Sequence, residues 1–340
     1  MEMLKSAKFF LIYFSHIVMG TILFIVMMSR LVIKHGAKSF TREKIRDKRP
    51  ACLEDPKIGK HKFVKTNDGV NLHYVESGDS TKPLMLLVHG FPDCWYTWRE
   101  QILTFQKYYR VVAMDTRGCG ESDKPPKTSD YRAEKVAGDL KTLVRVLGYT
   151  SCILVGHDWG GIICWYFAHL FPEMTHRVII LNAPNPTIFH DAILSSWQQR
   201  KNSLYMFFFQ IPWLPEVFMK WNDYAMLDKS TKGEDTLFFT REEIEGLKYS
   251  MSRPGTRTGS LNYYRANISA MNFLCTVTRP TLIIWGMKDK YLSPILLNGL
   301  EKLVSDLKIS KVEDAAHWVH QNQSRKVNQL ILQYLQTHHQ

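Results

Sequence analysis

Five residues, Gly156-His157-Asp158-Trp159-Gly160, carry the clearest chemical signal in the chain. An apolar run with strand character, Cys152-Ile153-Leu154-Val155, precedes them, and a helix-like run, Ile162–Ala168, follows. Strand, sharp turn and helix in that order thrust the central residue outward, and here that residue is Asp158. A serine in this place needs a base before it attacks. A carboxylate is already an anion at pH 7 and displaces directly at an sp³ carbon. The product is an alkyl ester of the protein, which water then cleaves. Taken alone, an Asp at a strand–helix junction is also an ordinary helix cap. Gly156, Gly160 and Gly161 weigh against that reading, because close strand–helix packing requires small residues there.

Such an ester calls for a base and a group to orient it. Asp289, in Trp285-Gly286-Met287-Lys288-Asp289, follows the strand-like run Leu282–Trp285. His317, in Ala315-Ala316-His317-Trp318, follows a short apolar segment, Leu307–Val312. An acid beside an imidazole holds its tautomer and stabilises its charged form. His320 competes for the base role but falls in the helix-like stretch beyond. Singly, Asp289 also reads as a turn residue and His317 as a surface-loop histidine. Nucleophile, acid and histidine in this chain order resemble the α/β-hydrolases. That resemblance implies that His89-Gly90-Phe91-Pro92, at the end of another buried run, supplies one oxyanion donor, the Phe91 N–H. The Trp159 N–H would supply the second. Pro92 cannot donate, a cis peptide before it would fit, and His89 reads as structural. No Gly-x-Ser-x-Gly occurs, which argues against a serine esterase. The histidines show no metal-ligand spacing with carboxylates or cysteines, so neither metal nor other cofactor is expected.

Taken together, His89-Gly-Phe-Pro92, Gly156-His-Asp-Trp-Gly160, Asp289 and Ala316-His317-Trp318 resemble an epoxide hydrolase of the α/β-hydrolase superfamily. The likeness covers about residues 60–340. The resemblance implies two tyrosines on a lid. One belongs to Tyr205-Met-Phe-Phe-Phe-Gln210, giving Tyr205, with Tyr224 not far off as an alternative. The other precedes an Arg in Asn262-Tyr-Tyr264-Arg265, giving Tyr264, with Tyr263 its rival. Phenols suit an epoxide, whose opening leaves an alkoxide that needs a donor still protonated at pH 7. Either tyrosine also reads as lid core. The nearest other chemistry is haloalkane or haloacid dehalogenation, which uses the same Asp, His and acid. The loop position of Phe91, where many haloalkane dehalogenases resemble each other in carrying Asn, and the tyrosine pair argue against it. A non-catalytic α/β-hydrolase scaffold at a membrane is the reading from a different class.

These residues need elements to hold them. Asn67-Asp68-Gly69, between Phe63–Thr66 and Leu72–Val75, predicts a hairpin. Leu84–Val88, Val111–Met114, Ile153–Val155, Val178–Leu181 and Leu282–Trp285 read as buried strands, with helix-like Ala133–Leu147 and Gly161–Leu170 between. This alternation predicts an α/β fold with a mostly parallel central sheet flanked by helices. It breaks between 186 and 277, a stretch rich in aromatics from Trp197 through Phe238 to Tyr264. We expect a helical lid there, inserted in a core of 61–185 and 278–340. Open α/β sheets keep their sites under such a cover.

Ahead of the core, Phe9–Met28 is a run of 20 residues without Asp, Glu, Lys or Arg, the length of a membrane-spanning helix. A cleaved signal peptide would have a shorter apolar region and a better cleavage site than Gly36-Ala37. The net charge of +12 is concentrated here: residues 1–60 carry twelve Lys/Arg and five Asp/Glu, a net of +7. A basic linker, 29–60, therefore follows the anchor, which fits a membrane flank better than a nucleic-acid surface. The positive side places the catalytic bulk in the cytosol, and the expected membrane is the endoplasmic reticulum. The six cysteines show no paired spacing, in keeping with that side. Two sequons, at Asn267 and Asn322, would matter only for a lumenal domain. The expected partners are the bilayer, water and a small lipophilic epoxide, fatty-acid-derived or xenobiotic.

Overall fold

The run Leu84–Val88 is buried at every position, as a strand covered on both faces must be. It is the third of eight strands: β1 (Lys60–Lys65), β2 (Asn71–Ser77), β3 (Leu84–Val88), β4 (Arg110–Met114), β5 (Cys152–His157), β6 (Thr175–Leu181), β7 (Thr281–Gly286) and β8 (Leu307–Val312). The computed structural model describes residues 2–40, 42–230, 239–268 and 273–337; Phe238 and the Ser269 of the first sequon lie outside the described residues. The strands form one sheet in the order β1-β2-β4-β3-β5-β6-β7-β8. β2 runs antiparallel to both neighbours, and every other pair is parallel. The β1–β2 hairpin closes through Thr66 N–H on the Val70 carbonyl, 2.8 Å, with Gly69 at φ 86°. The chain changes direction across the sheet at β3, which pairs with β4 on one side and β5 on the other. The crevice beyond such a point is where doubly wound sheets bind ligands.

The helix Trp159–Leu170 is buried from Trp159 to Ala168, an element sandwiched rather than laid on the surface. Its close seating depends on Gly160, where a Cβ would fall on the Val88 and His89 carbonyls. Beyond β4, Arg117 is buried and pairs through Nε and Nη2 with both Asp139 oxygens, 2.7 and 2.6 Å. Its carbonyl accepts the Tyr263 hydroxyl at 2.8 Å, which ties the core to the insert.

The described residues between 186 and 268 form helices rather than strands. These helices are Pro186–Ser195, Trp197–Asn202, Leu204–Phe208, Leu214–Ser230, Arg241–Ser252 and Thr256–Asn267. The helix Leu214–Ser230 breaks at Trp221–Tyr224, where Asn222, Asp223 and Tyr224 have φ of 47°, 59° and 61°. Three successive non-glycine residues in left-handed backbone are costly. The charged stretch after the first helix holds them. Asp223 N–H donates to the Arg42 carbonyl, and the Asp223 carboxylate takes both Arg46 Nη groups at 2.7 Å. The Tyr224 hydroxyl donates to Glu43 at 2.6 Å. A stretch that reads as a linker thus lies against the lid.

Residues Glu2–His35 form one helix. Its segment Leu11–His35 has a mean hydropathy of 2.2 and is the one described helix long and apolar enough to cross a membrane. The six cysteines are free thiols, five of them buried. The Asn267 side chain is buried and hydrogen-bonded to Ala133, Tyr131 and Tyr263, with no room for a glycan.

Removing one partner from a buried ion pair strands the other, at a cost of about 3–5 kcal/mol. Arg117→Met is therefore expected to destabilise the protein by roughly that amount in thermal or urea unfolding. Adding Asp139→Leu should restore most of the loss; a double variant as unstable as the single would show that the pair is not what matters.

Candidate active site

Asp158 sits at φ 50°, ψ −122°, between β5 and the helix Trp159–Leu170. The positive φ is the sharp turn that the flanking glycines predict, and it is a strained conformation for Asp. Around Asp158 converge the ends of four parallel strands. Phe91 comes from the loop after β3, Asp289 from the loop after β7, and His317 from the loop after β8. These strands run parallel, so the loops all leave the sheet at the same edge.

The polar groups form a line. The Phe91 N–H donates to Asp158 Oδ1 at 2.8 Å. His317 Nε2 lies 3.5 Å from Asp158 Oδ2, and His317 Nδ1 lies 2.7 Å from Asp289 Oδ2. Asp289 is itself fixed: Asn182 Nδ2 donates to Oδ2 at 2.7 Å, and the Tyr291 and Leu292 N–H groups donate to Oδ1. Trp159 opens its helix, so its N–H belongs to the unsatisfied first turn. The Phe91–Pro92 peptide is cis.

Burial alone would raise the Asp158 carboxyl, but the contact and charge of His317, with the Phe91 N–H, outweigh it and hold Asp158 below its ordinary value. Burial alone would lower His317, but the carboxylates of Asp289 and Asp158 outweigh it and push the imidazole up to about 10. The resting site is therefore an imidazolium between two carboxylates.

Tyr205 and Tyr264 face Asp158 across a cavity of about 910 Å³, lined also by Phe91, His317 and Trp318. Their rings meet edge to face at 5.9 Å, and Tyr264 packs against Phe91 and Trp159. Burial, then the charge of Asp158 and the neighbouring tyrosines, pushes both phenols well above 10, so both keep their protons. The rivals lie elsewhere. Tyr263 points its hydroxyl at the Arg117 carbonyl, and Tyr224 points its own at Glu43. His320 packs behind the site against Trp98 and His157, and burial holds it well below 6.5. His89 is structural, accepting the Thr116 N–H at Nε2.

The residue after Tyr264 explains why an Arg follows a tyrosine here. Arg265 Nε and Nη2 donate to the Phe209 and Ile211 carbonyls at 2.9 and 2.8 Å, and the guanidinium pairs with Glu216. One side chain so joins the helix bearing Tyr264 to the segment bearing Tyr205.

Three site residues escape sequence reasoning. Asn182, at φ 38°, receives the Gly286 N–H and donates to Asp289; its only signal is a polar residue directly ending a buried strand. Tyr291 lines the cavity, edge to face with His317 at 5.2 Å. Asn322 Oδ1 accepts the Ala316 N–H and sets the loop before His317. Its sequon is spent on that loop.

Although the histidines show no ligand spacing along the chain, Asp93, His157 and His320 bring ligand atoms within 4.8 Å of one another. This group lies behind His317, whose carbonyl His157 Nε2 already contacts at 3.0 Å, and none of the three lines the cavity. Two imidazoles and a carboxylate are a set that suits a divalent transition metal.

The model of the α/β-hydrolase fold family matches residues 83–322. Human epoxide hydrolase 4 is 39% identical over 311 residues, covering 89% of this chain and 86% of that protein. Epoxide hydrolase 3 of Xenopus tropicalis is 38% identical over 317 residues, covering 89% and 85%. An epoxide hydrolase from Bacillus megaterium, solved with an inhibitor, superposes with a TM-score of 0.75 at 30% identity, over 81% of this chain and all of that one. By sequence likeness along most of its length and by fold, the chain belongs to the epoxide hydrolases of the α/β-hydrolase superfamily.

Proposed function

We propose that the protein opens lipophilic epoxides to vicinal diols through a covalent ester on Asp158. The observation that carries this reading is the opposition of Asp158 and the two phenols across one cavity. Asp158 Oδ2 attacks an epoxide carbon while Tyr205 and Tyr264 donate to the ring oxygen. Oδ1 stays on the Phe91 N–H as the ester carbonyl, with the Trp159 N–H beside it. Attack removes the charge of Asp158, and the proton that His317 held against it passes, by way of a phenol, to the new alkoxide. His317 is then neutral. Oriented by Asp289, it takes a proton from water as that water attacks the ester carbonyl. The second proton of the water goes to the departing diol, and the imidazolium between two carboxylates returns.

The base is thus timed by the reaction: it is blocked until the ester forms. The first helix, apolar over a membrane-spanning length, supports anchoring to a bilayer, with the basic residues after it on the cytosolic side at the endoplasmic reticulum. Anchor, basic linker, core and lid would then be the working units of the chain. Aromatic lining and membrane setting favour apolar epoxides, such as those of unsaturated fatty acids.

In a single turnover in ¹⁸O-water the label is expected in the Asp158 carboxylate; label in the diol alone would sink the covalent route. His317→Gln should accumulate the ester, seen as a mass increase on the Asp158 peptide, while Asp158→Ala forms none. Loss of one oxyanion-type donor costs roughly 10²-fold in kcat. Tyr264→Phe and Tyr205→Phe are each expected to lose about that much, with KM little changed. In a histidine ¹⁵N NMR titration His317 should stay protonated until about pH 10. Asp158→Asn removes one of its two carboxylates and should lower that value; an unmoved titration would contradict the timing argument.

A further inference from the structure

The cavity does not end at the lid. Gly20, Leu23, Phe24, Met27 and Leu31 of the first helix also line it. These are positions i, i+3, i+4, i+7 and i+11, a single stripe along an α-helix. From Gly20 to Leu31 the stripe is about 16 Å long at 1.5 Å per residue.

The helix is seated on the lid along this stripe. At Gly20 a Cβ would come 3.4 Å from the Leu204 carbonyl, so helix and lid backbones approach closely there. Phe24 is buried, stacked on Phe208 at 4.0 Å and edge-on to Phe218. Leu23 and Met27, on the same stripe, are 53% and 37% exposed. Side chains that both line a cavity and meet the outside mark its mouth. The helix face beside that mouth is apolar and open: Phe14, Val18, Ile22 and Ile25 are 45–63% exposed. On the lid, Trp197 and Trp213 are exposed as well, the residues that favour a membrane interface. An apolar face of this extent needs a cover, and its aromatic margin fits lipid.

Another part of the cavity wall differs. There it is lined by Lys288, Lys290, Asp314, Asn322 and Gln323, and the first three are exposed. One cavity therefore has an apolar mouth on the first helix and a polar mouth on the loops after β7 and β8.

We propose that the first helix is one wall of a lateral gate, through which epoxides dissolved in the bilayer pass to Asp158 without crossing water. Water arrives and diol leaves through the polar mouth. The proposal rests on the membrane-anchoring reading above and adds that the anchor is part of the substrate site. Diol, with two hydroxyls where the epoxide had one ether oxygen, is driven to the polar side by its own hydration.

The test uses the full chain with phosphatidylcholine vesicles and two substrates, methyl 9,10-epoxystearate in the bilayer and water-miscible glycidol. The protein should float with the vesicles. Leu23→Trp with Met27→Trp narrows the mouth, and kcat/KM should fall roughly tenfold more on the epoxystearate than on glycidol. Met27→Ala widens it and should move the ratio the other way. Ile22→Trp, on the lipid-facing side, should leave the ratio unmoved. Flotation with a ratio indifferent to Leu23 and Met27, or equally sensitive to Ile22, overturns the gate and leaves the anchor standing. A chain that fails to float, including one that sediments as a dimer with the face covered by a second copy, overturns both.

Discussion

A single positive charge held between two buried carboxylates is the constraint to which the rest of the structure answers. Asp158 and Asp289 come together in a buried site, and the imidazole of His317 lies between them at 3.5 and 2.7 Å. Each element around the site serves that arrangement. The turn at Asp158 places one carboxylate, and Asn182 with two backbone N–H groups fixes the other. Asn322 sets the loop between them. Charge balance makes the resting site stable, and the loss of one charge by ester formation is what would release the base.

The lid solves a separate problem, which is to hold two phenols against a carboxylate. It does so by aromatic packing, with Tyr264 set among Phe91, Trp159 and Phe209, and by the fork of Arg265. Aromatic rings are stiff and apolar, so they position a hydroxyl while keeping its proton in place. Arg265 makes the two tyrosines one unit: its donors bind backbone carbonyls on the other tyrosine's segment, a task that a lysine's single ammonium does poorly.

The core was readable because its rules are local. Runs such as Leu84–Val88 and Leu282–Trp285 have one use in a soluble fold, and a glycine-flanked Asp between strand and helix has few. Asp289 and His317 followed from lying just past such runs. Lid geometry was less legible. Tyr263 and Tyr264 are adjacent and of one type, and only tertiary packing sends one hydroxyl to Arg117 and the other to the cavity. Asn182 and Asn322 were missed because their work is done across 107 and 6 residues, on partners that no pattern names. Lys44 and Arg46 looked like spacer for the same reason: their partners, Asp223 and Glu245, come some 180–200 positions later.

That last feature changes what counts as the folding unit. The left-handed turn at Asn222–Tyr224 is strained, and the groups that relieve it, Arg42, Glu43 and Arg46, lie before the first strand. A chain begun at residue 60 would keep every strand of the sheet and all the charged chemistry at Asp158. It would lack the clasp that closes the lid from outside. The N-terminal segment is thus less an appendage to a finished hydrolase than the final piece of its roof.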